Sequence, residues 1–132
     1  RHAVLRDPAR IRRFSAKRQA LGERIMIMRE WRGRVPLDKA DAYEAFLHTS
    51  GIADYAATPG NRGVWLLLDR SGDAAEFTTL TLWESEDAIR GFAGEDIRLA
   101  YYYPEDDDFL LEKVRYVRHY EVLWPAAALP PR

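Results

Sequence analysis

One histidine, a run of tyrosines and a set of tryptophans have the widest chemical reach in this chain. His119 stands between Arg118 and Tyr120 in the alternating segment VRYVRHYEVLW. Imidazole exchanges protons near neutral pH, so His119 could serve as a base or hydrogen-bonding group toward an acidic hydroxyl. Tyr101, Tyr102 and Tyr103 are consecutive. On a helix they cannot all face one way. Tyr101 follows Ile97 by four positions and shares its face, and a phenol there could orient a phenol or quinone oxygen. Trp31, Trp65 and Trp83 offer flat apolar walls for a ring. The catalytic candidates are therefore His119 and Tyr101, and the substrate-binding candidates are Trp31, Trp83, Trp65 and Tyr102. The plainer reading of each is packing: Trp83 as a core aromatic at a strand end, His119 as a satisfied strand histidine, the tyrosines as interfacial filling. His48 falls opposite Tyr43 and Phe46 on its helical wheel and reads as solvent-facing. His2 lies in a basic arm.

Other chemistries find little support. The chain has no cysteine, which removes disulfides, thiolate metal sites and cysteine nucleophiles together. Glu105, Asp106, Asp107 and Asp108 form an acidic run, but adjacent carboxylates diverge and no second cluster or histidine pair completes a metal site. The run reads as a solvated helix entry. No glycine-rich phosphate loop, dinucleotide fingerprint or local Ser-His-Asp signature occurs. No metal and no cofactor is expected.

The elements that must position these residues follow from periodicity. Residues 25–35 alternate, with Ile25, Ile27, Arg29, Trp31 and Gly33 on one face and Met26, Met28, Glu30 and Arg32 on the other. This is a first strand, ended by Pro36. Asp38 can cap a helix over 38–49 whose buried stripe is Tyr43, Phe46 and Leu47. Gly51 breaks it, and 52–57 adds a turn. Thr58-Pro59-Gly60-Asn61 is turn chemistry. Strands over 63–69 and 75–84 are joined by the hairpin-length loop Arg70 to Asp73. In the second of these, Phe77 and Trp83 oppose Leu80 and Leu82, so both faces of the strand must meet protein. Ser85 is a good N-cap for a helix over 86–93, with Glu86 and Asp87 at the positive end of its dipole and Gly94 as its stop. A second short helix is predicted over 95–103, halted by Pro104, and a last strand over 114–124. The order β-α-β-β-α-β is the ferredoxin-like arrangement, a four-stranded antiparallel sheet with helices on one face. The apolar second face needs a partner, and a symmetric dimer through the sheets supplies one.

The chain has 132 residues, 47% apolar and 31% charged, with a net charge of −1. That is ample for one domain with a core. Residues 1–24 hold eight Arg or Lys against Asp7 and Glu23, and the rest of the chain is correspondingly acidic. The arm reads as a basic extension, with a thin helical stripe over 8–21, in front of a domain that Met26 or Met28 could open. The domain spans 25–124, and 125–132 is a tail. No basic stripe with interleaved aromatics points to nucleic acid. No apolar run approaches the ~20 residues of a membrane span. The N-terminal charge is followed by no apolar run, which argues against a secretory signal. These readings, with the absence of cysteine, lead to an expected cytoplasmic location.

The residues WESEDAIRGFAGEDIRLAYYYPEDDDFL, with REWRGRVPLDKADAYEAFL before them and VRHYEVLW after them, resemble the antibiotic biosynthesis monooxygenase-like proteins of the dimeric α/β-barrel superfamily. The resemblance covers about residues 25–124. It implies a homodimer whose sheets face each other, with a pocket between the helices and sheet of each subunit. Some such proteins are cofactor-free oxygenases of polycyclic aromatic phenols. Others bind and degrade haem, using an Asn on the first strand, a Trp at a strand end and a His on the following helix. Of these only the Trp is matched, by Trp83. Trp31 stands at the Asn position and Tyr101 at the His position, which argues against haem degradation. The resemblance therefore implies a cofactor-independent monooxygenase, or a related enzyme, acting on a small to medium aromatic or phenolic compound with dioxygen as cosubstrate. The alternatives are a non-catalytic ligand-binding or stress-related dimer with the same pocket, and haem binding without competent degradation.

Overall fold

The computed structural model describes residues 25–123. The arm and the tail, including the stripe expected over 8–21, lie outside them. The described elements are β1 (Met26–Pro36), a 3-10 turn (Leu37–Lys39), α1 (Ala40–Thr49), α2 (Gly51–Ala57), β2 (Asn61–Asp69), β3 (Ala74–Trp83), α3 (Glu86–Ala93), a second 3-10 turn (Pro104–Asp108) and β4 (Arg118–Val122). The four strands form one antiparallel sheet in the order β2-β3-β1-β4. This is the ferredoxin-like α+β arrangement expected from the sequence.

Strand alternation sorts the side chains as predicted. The inner face carries Trp31 and Val35 of β1 with Ala75, Phe77 and Trp83 of β3, all buried. Two apolar clusters sit there. One joins Trp31, Val35 and Phe77 to Tyr43 and Leu47 of α1; the other joins Trp83 to Tyr55 of α2 and Ile89 of α3. The outer face carries Met26 and Met28, Leu80 and Leu82, and the exposed Trp65, Leu67 and Tyr120.

Local signals read from the sequence hold at several joints. The Ser85 hydroxyl accepts from the Ala88 amide at 3.1 Å and caps α3. Gly94 ends that helix at φ 91°, a backbone state that favours glycine. Gly60 also has positive φ, and a Cβ there would lie 2.4 Å from the Ala88 Cβ. The turn and α3 are therefore seated against each other.

Three expectations change. Asp38 caps nothing: it sits within the first 3-10 turn, and α1 begins at Ala40 without a side-chain cap. The second short helix over 95–103 does not form. Its backbone is drawn into an extended contact with the segment before β4: Ala100 N–H donates to Arg115 C=O at 2.9 Å, and Val117 N–H to Arg98 C=O at 2.8 Å. The same bonds shorten β4 at its start. Tertiary pairing overrides the helical spacing of Ile97 and Tyr101. Third, Asp106 of the acidic run is buried, not solvated. Its carboxylate accepts from the Tyr43 hydroxyl and from the Tyr103 amide, each at 2.8 Å, and the second bond satisfies a free donor at the start of the second 3-10 turn.

Candidate functional site

Between the two apolar clusters the inner face turns polar. Register places His119, Arg29, Thr81 and Val64 in one row across β4, β1, β3 and β2. The next row carries Trp31, Thr79 and Leu66. A narrow cleft opens over these rows. Arg29 and Thr79 form its floor, Tyr55 and Phe92 line its walls, Tyr101 stands at its mouth, and the buried Asp106 also borders it. The cleft holds about 20 Å³, room for about one water. A wider groove of about 360 Å³ adjoins it between α2 and α3, lined by residues including Asp54, Thr58 and Gly91. Phe92 and Tyr101 belong to both spaces. These two rings, with centroids 5.3 Å apart and edge to face, form the partition.

Arg29 dominates the electrostatics. It is only 2% exposed. One guanidinium nitrogen donates to the Leu99 carbonyl at 2.9 Å. The Phe92 ring lies over the guanidinium at 5.6 Å, and the Tyr55 phenol interacts with it. All three partners are neutral. Among the described residues no carboxylate lies within ion-pair distance of Arg29, and its Nε has no hydrogen-bond partner. Burial lowers its pKa, and Tyr55 opposes that shift. Burial likewise raises the Tyr55 phenol, with Thr79 and Arg29 acting against it.

His119 pairs directly with Arg29 on the neighbouring strand and points to the same face. Its Nε2 is also buried and without a partner. Desolvation, helped by repulsion from Arg29, pushes the imidazole pKa down to about 4. It is neutral at pH 7. A base whose conjugate acid is that strong is poorly matched to neutral-pH proton abstraction, and His119, beside Arg29 on the neighbouring strand, is not among the residues that line the cleft. Both features weigh against His119 as the base in the reading proposed below.

The other predicted residues divide. Tyr101 stands half-exposed at the mouth, as expected of a pocket residue. Trp31 lines the cleft and donates through its indole N–H to the Tyr102 hydroxyl at 3.3 Å. Tyr102 donates in turn to the Val114 carbonyl at 2.6 Å, so it holds Trp31 in place. Trp83 is fully buried behind Tyr55 and Phe92, its N–H bonded to Thr81 Oγ1 at 2.7 Å. It supports the wall from behind and does not form it. Trp65 is not brought to the cleft. It lies on the outer face, 45% exposed, with its ring over Gly63. The strand's odd and even positions decide this, and Trp65 falls out of phase with Val64 and Leu66.

Sequence reasoning missed Arg29, Tyr55 and Asp106 as site residues. For Arg29 the signal was present: a cation in phase with Ile25, Ile27 and Trp31 on an inward face. Tyr55 had only a helix break before it, and Asp106 was one of four adjacent acids. Tyr103, whose phenol donates to Asp54, is raised in pKa by burial and by that carboxylate; the bond ties the mouth to α2. Among the described residues no group of three His, Cys, Asp or Glu could hold a metal. The residues do not fit the haem-degrading set either, since no imidazole lines the cleft.

No protein-family model matches the chain, and no curated protein matches it. Solved structures do. A protein from Nitrosomonas europaea, named as a candidate antibiotic biosynthesis monooxygenase, is 17% identical with a TM-score of 0.60, covering 78% of this chain and 95% of that one. A similarly named protein from Bacillus cereus is 19% identical with a TM-score of 0.51, covering 80% and 100%. A third structure, from Pseudomonas aeruginosa, is 16% identical with a TM-score of 0.52, covering 79% and 97%. The chain has the antibiotic biosynthesis monooxygenase-like fold, over nearly the full length of these neighbours. At such identities the likeness establishes the fold alone.

Proposed function

We propose that this protein is a cofactor-independent monooxygenase acting on a small to medium phenolic compound. The observation that carries the reading is a buried guanidinium, without a carboxylate partner among the described residues, at the floor of an aromatic-walled cleft. The groove between α2 and α3 takes the ring. The hydroxyl passes between Phe92 and Tyr101 toward Arg29. That passage requires the half-exposed Tyr101 to swing aside, because the closed cleft admits only about one water.

Such a reaction needs a substrate that can give an electron to dioxygen, and a phenolate does so more readily than a phenol. A cation in a low-dielectric cleft stabilises the phenolate. The hydroxyl proton leaves to solvent. One electron passes from phenolate to dioxygen, and the two radicals combine at the carbon para to the oxygen. Loss of the para C–H proton and cleavage of the O–O bond then give a quinone and water. A phenol plus dioxygen becomes a quinone plus water, with the substrate supplying all electrons. Here Tyr101 orients the ring, Trp31 and Trp83 keep the cleft's shape, and His119 stays neutral beside Arg29.

A homodimer through the outer sheet faces belongs to this reading. The apolar side chains of Met28, Leu80, Leu82, Trp65 and Leu67 on that face support it, because helices cover only the other side. The site of each subunit is complete within its own chain. The test is dioxygen uptake with a panel of hydroxynaphthalenes in metal-chelated buffer. Protein-dependent uptake that falls in Tyr101→Ala supports the proposal. No uptake across the panel, with folded protein, refutes it.

A further inference from the structure

The groove between α2 and α3 has a chemistry of its own. Among the described residues no Lys, Arg or His lines it, and its one charged group is Asp54. The Tyr103 hydroxyl donates to one oxygen of that exposed carboxylate. The other oxygen accepts no hydrogen bond from the described residues. The neighbouring polar groups have spent their donors. The Thr58 amide donates to the Tyr55 carbonyl at 3.2 Å, and the Thr58 hydroxyl to the Asp54 carbonyl at 2.7 Å. Pro59 has no N–H. What these groups leave for a guest is lone pairs. The apolar side of the groove is made by the rings of Phe92 and Tyr101, and aromatic faces attract cations. A carboxylate with a free oxygen, a hydroxyl whose proton is spent and two π-systems share one demand, a positively charged donor.

We propose that this groove is a site for an organic ammonium group, held by Asp54 with Thr58 and the Phe92 and Tyr101 rings around it. Arg29 lies on the far side of the partition those two rings form, so the two spaces carry opposite charges at their outer ends. This deepens the functional reading above by naming the substrate class: a phenol that bears a protonated amine at the end away from its hydroxyl. It rests on that reading only for the hydroxyl; the preference for an ammonium group rests on the groove. Asp54 is exposed, and water screens an exposed carboxylate, so the preference is moderate and sensitive to salt.

The experiment compares two ligands of one shape, naphthylmethylamine, which is protonated at neutral pH, and naphthalenemethanol, which is neutral. Each is titrated against the full chain by calorimetry. The proposal expects the amine to bind about 10-fold more tightly than the alcohol. It also expects Asp54→Asn, shown folded by circular dichroism, to bring the two affinities level. Raising the salt from about 0.01 M to about 1 M should erode the wild-type preference, and that measurement decides the matter should the variant fail to fold. Equal affinities in the wild type, a preference that survives in folded Asp54→Asn, or one that salt leaves unchanged would overturn the site. Neither ligand has a ring hydroxyl, so the result is independent of oxygenation. Amine preference without dioxygen uptake by any hydroxynaphthalene would leave the ammonium site standing and remove the oxygenase. Uptake with equal affinities would do the reverse.

Discussion

Acid should destabilise this protein through His119 specifically. The imidazole is largely enclosed beside Arg29 and ionises at about 4 in the folded chain, against an ordinary value near 6.5. The unfolded chain therefore binds a proton between those two values that the folded chain refuses. Stability from this group is fully present above the unfolded value and is lost as pH falls toward the folded one. Carrying the linkage from pH 7 to pH 4.5 gives a loss of about 2 kcal/mol from His119 alone. Carboxylates also titrate in that range, so the comparison must cancel them. Urea unfolding followed by tryptophan fluorescence, on the wild type and on His119→Leu at both pH values, does so. The variant should gain about 2 kcal/mol relative to the wild type on acidification, whatever its stability at pH 7. Parallel stability–pH curves would refute the claim that the buried Arg29–His119 pair resists a second positive charge.

Three further outcomes follow from the packing. Gly33→Ala places a methyl 2.3 Å from the Trp31 ring, so it should cost about 1–3 kcal/mol by displacing Trp31; an unchanged melting temperature would contradict the contact. Asp106→Asn leaves the Tyr43 hydroxyl or the Tyr103 amide poorly paired and should cost about 1–3 kcal/mol, read by urea unfolding; a neutral effect would contradict the weight given to these two buried bonds. Trp65→Glu puts a charge on the outer sheet face, so light scattering at micromolar protein should read a dimer for the wild type and a monomer for the variant. A monomeric wild type would refute the sheet-to-sheet dimer.

Much of the architecture was legible because it rests on local rules. Alternation assigned Arg29, Trp31, Phe77 and Trp83 to one face, and Ser85 and Gly94 marked the ends of α3. The failures share a cause. The helix over 95–103 was lost to hydrogen bonds with residues 115 and 117, and Asp106 was buried by Tyr43, 63 positions away. Long-range partners of that kind leave no local trace. The site was half legible. Trp31 was named by residue type and strand phase, and Tyr101 and Tyr102 by residue type, since the helix that phased Tyr101 does not form. Trp65 was included by residue type although its phase points outward. Arg29 was in the right phase and was passed over, because a charged residue on a strand usually faces water. His119 was seen as a base because sequence does not reveal that its partner across the strand is a buried cation.

The central claim is that an unassisted phenolate, held by Arg29, is oxygenated in the cleft. It is tested most directly by turning over one hydroxynaphthalene under ¹⁸O₂ in metal-chelated buffer and weighing the product. The account predicts a naphthoquinone carrying one ¹⁸O atom per molecule, with Arg29→Met reducing its formation at least about 30-fold. A quinone carrying no ¹⁸O, or equal labelling in the folded Arg29→Met variant, would contradict it.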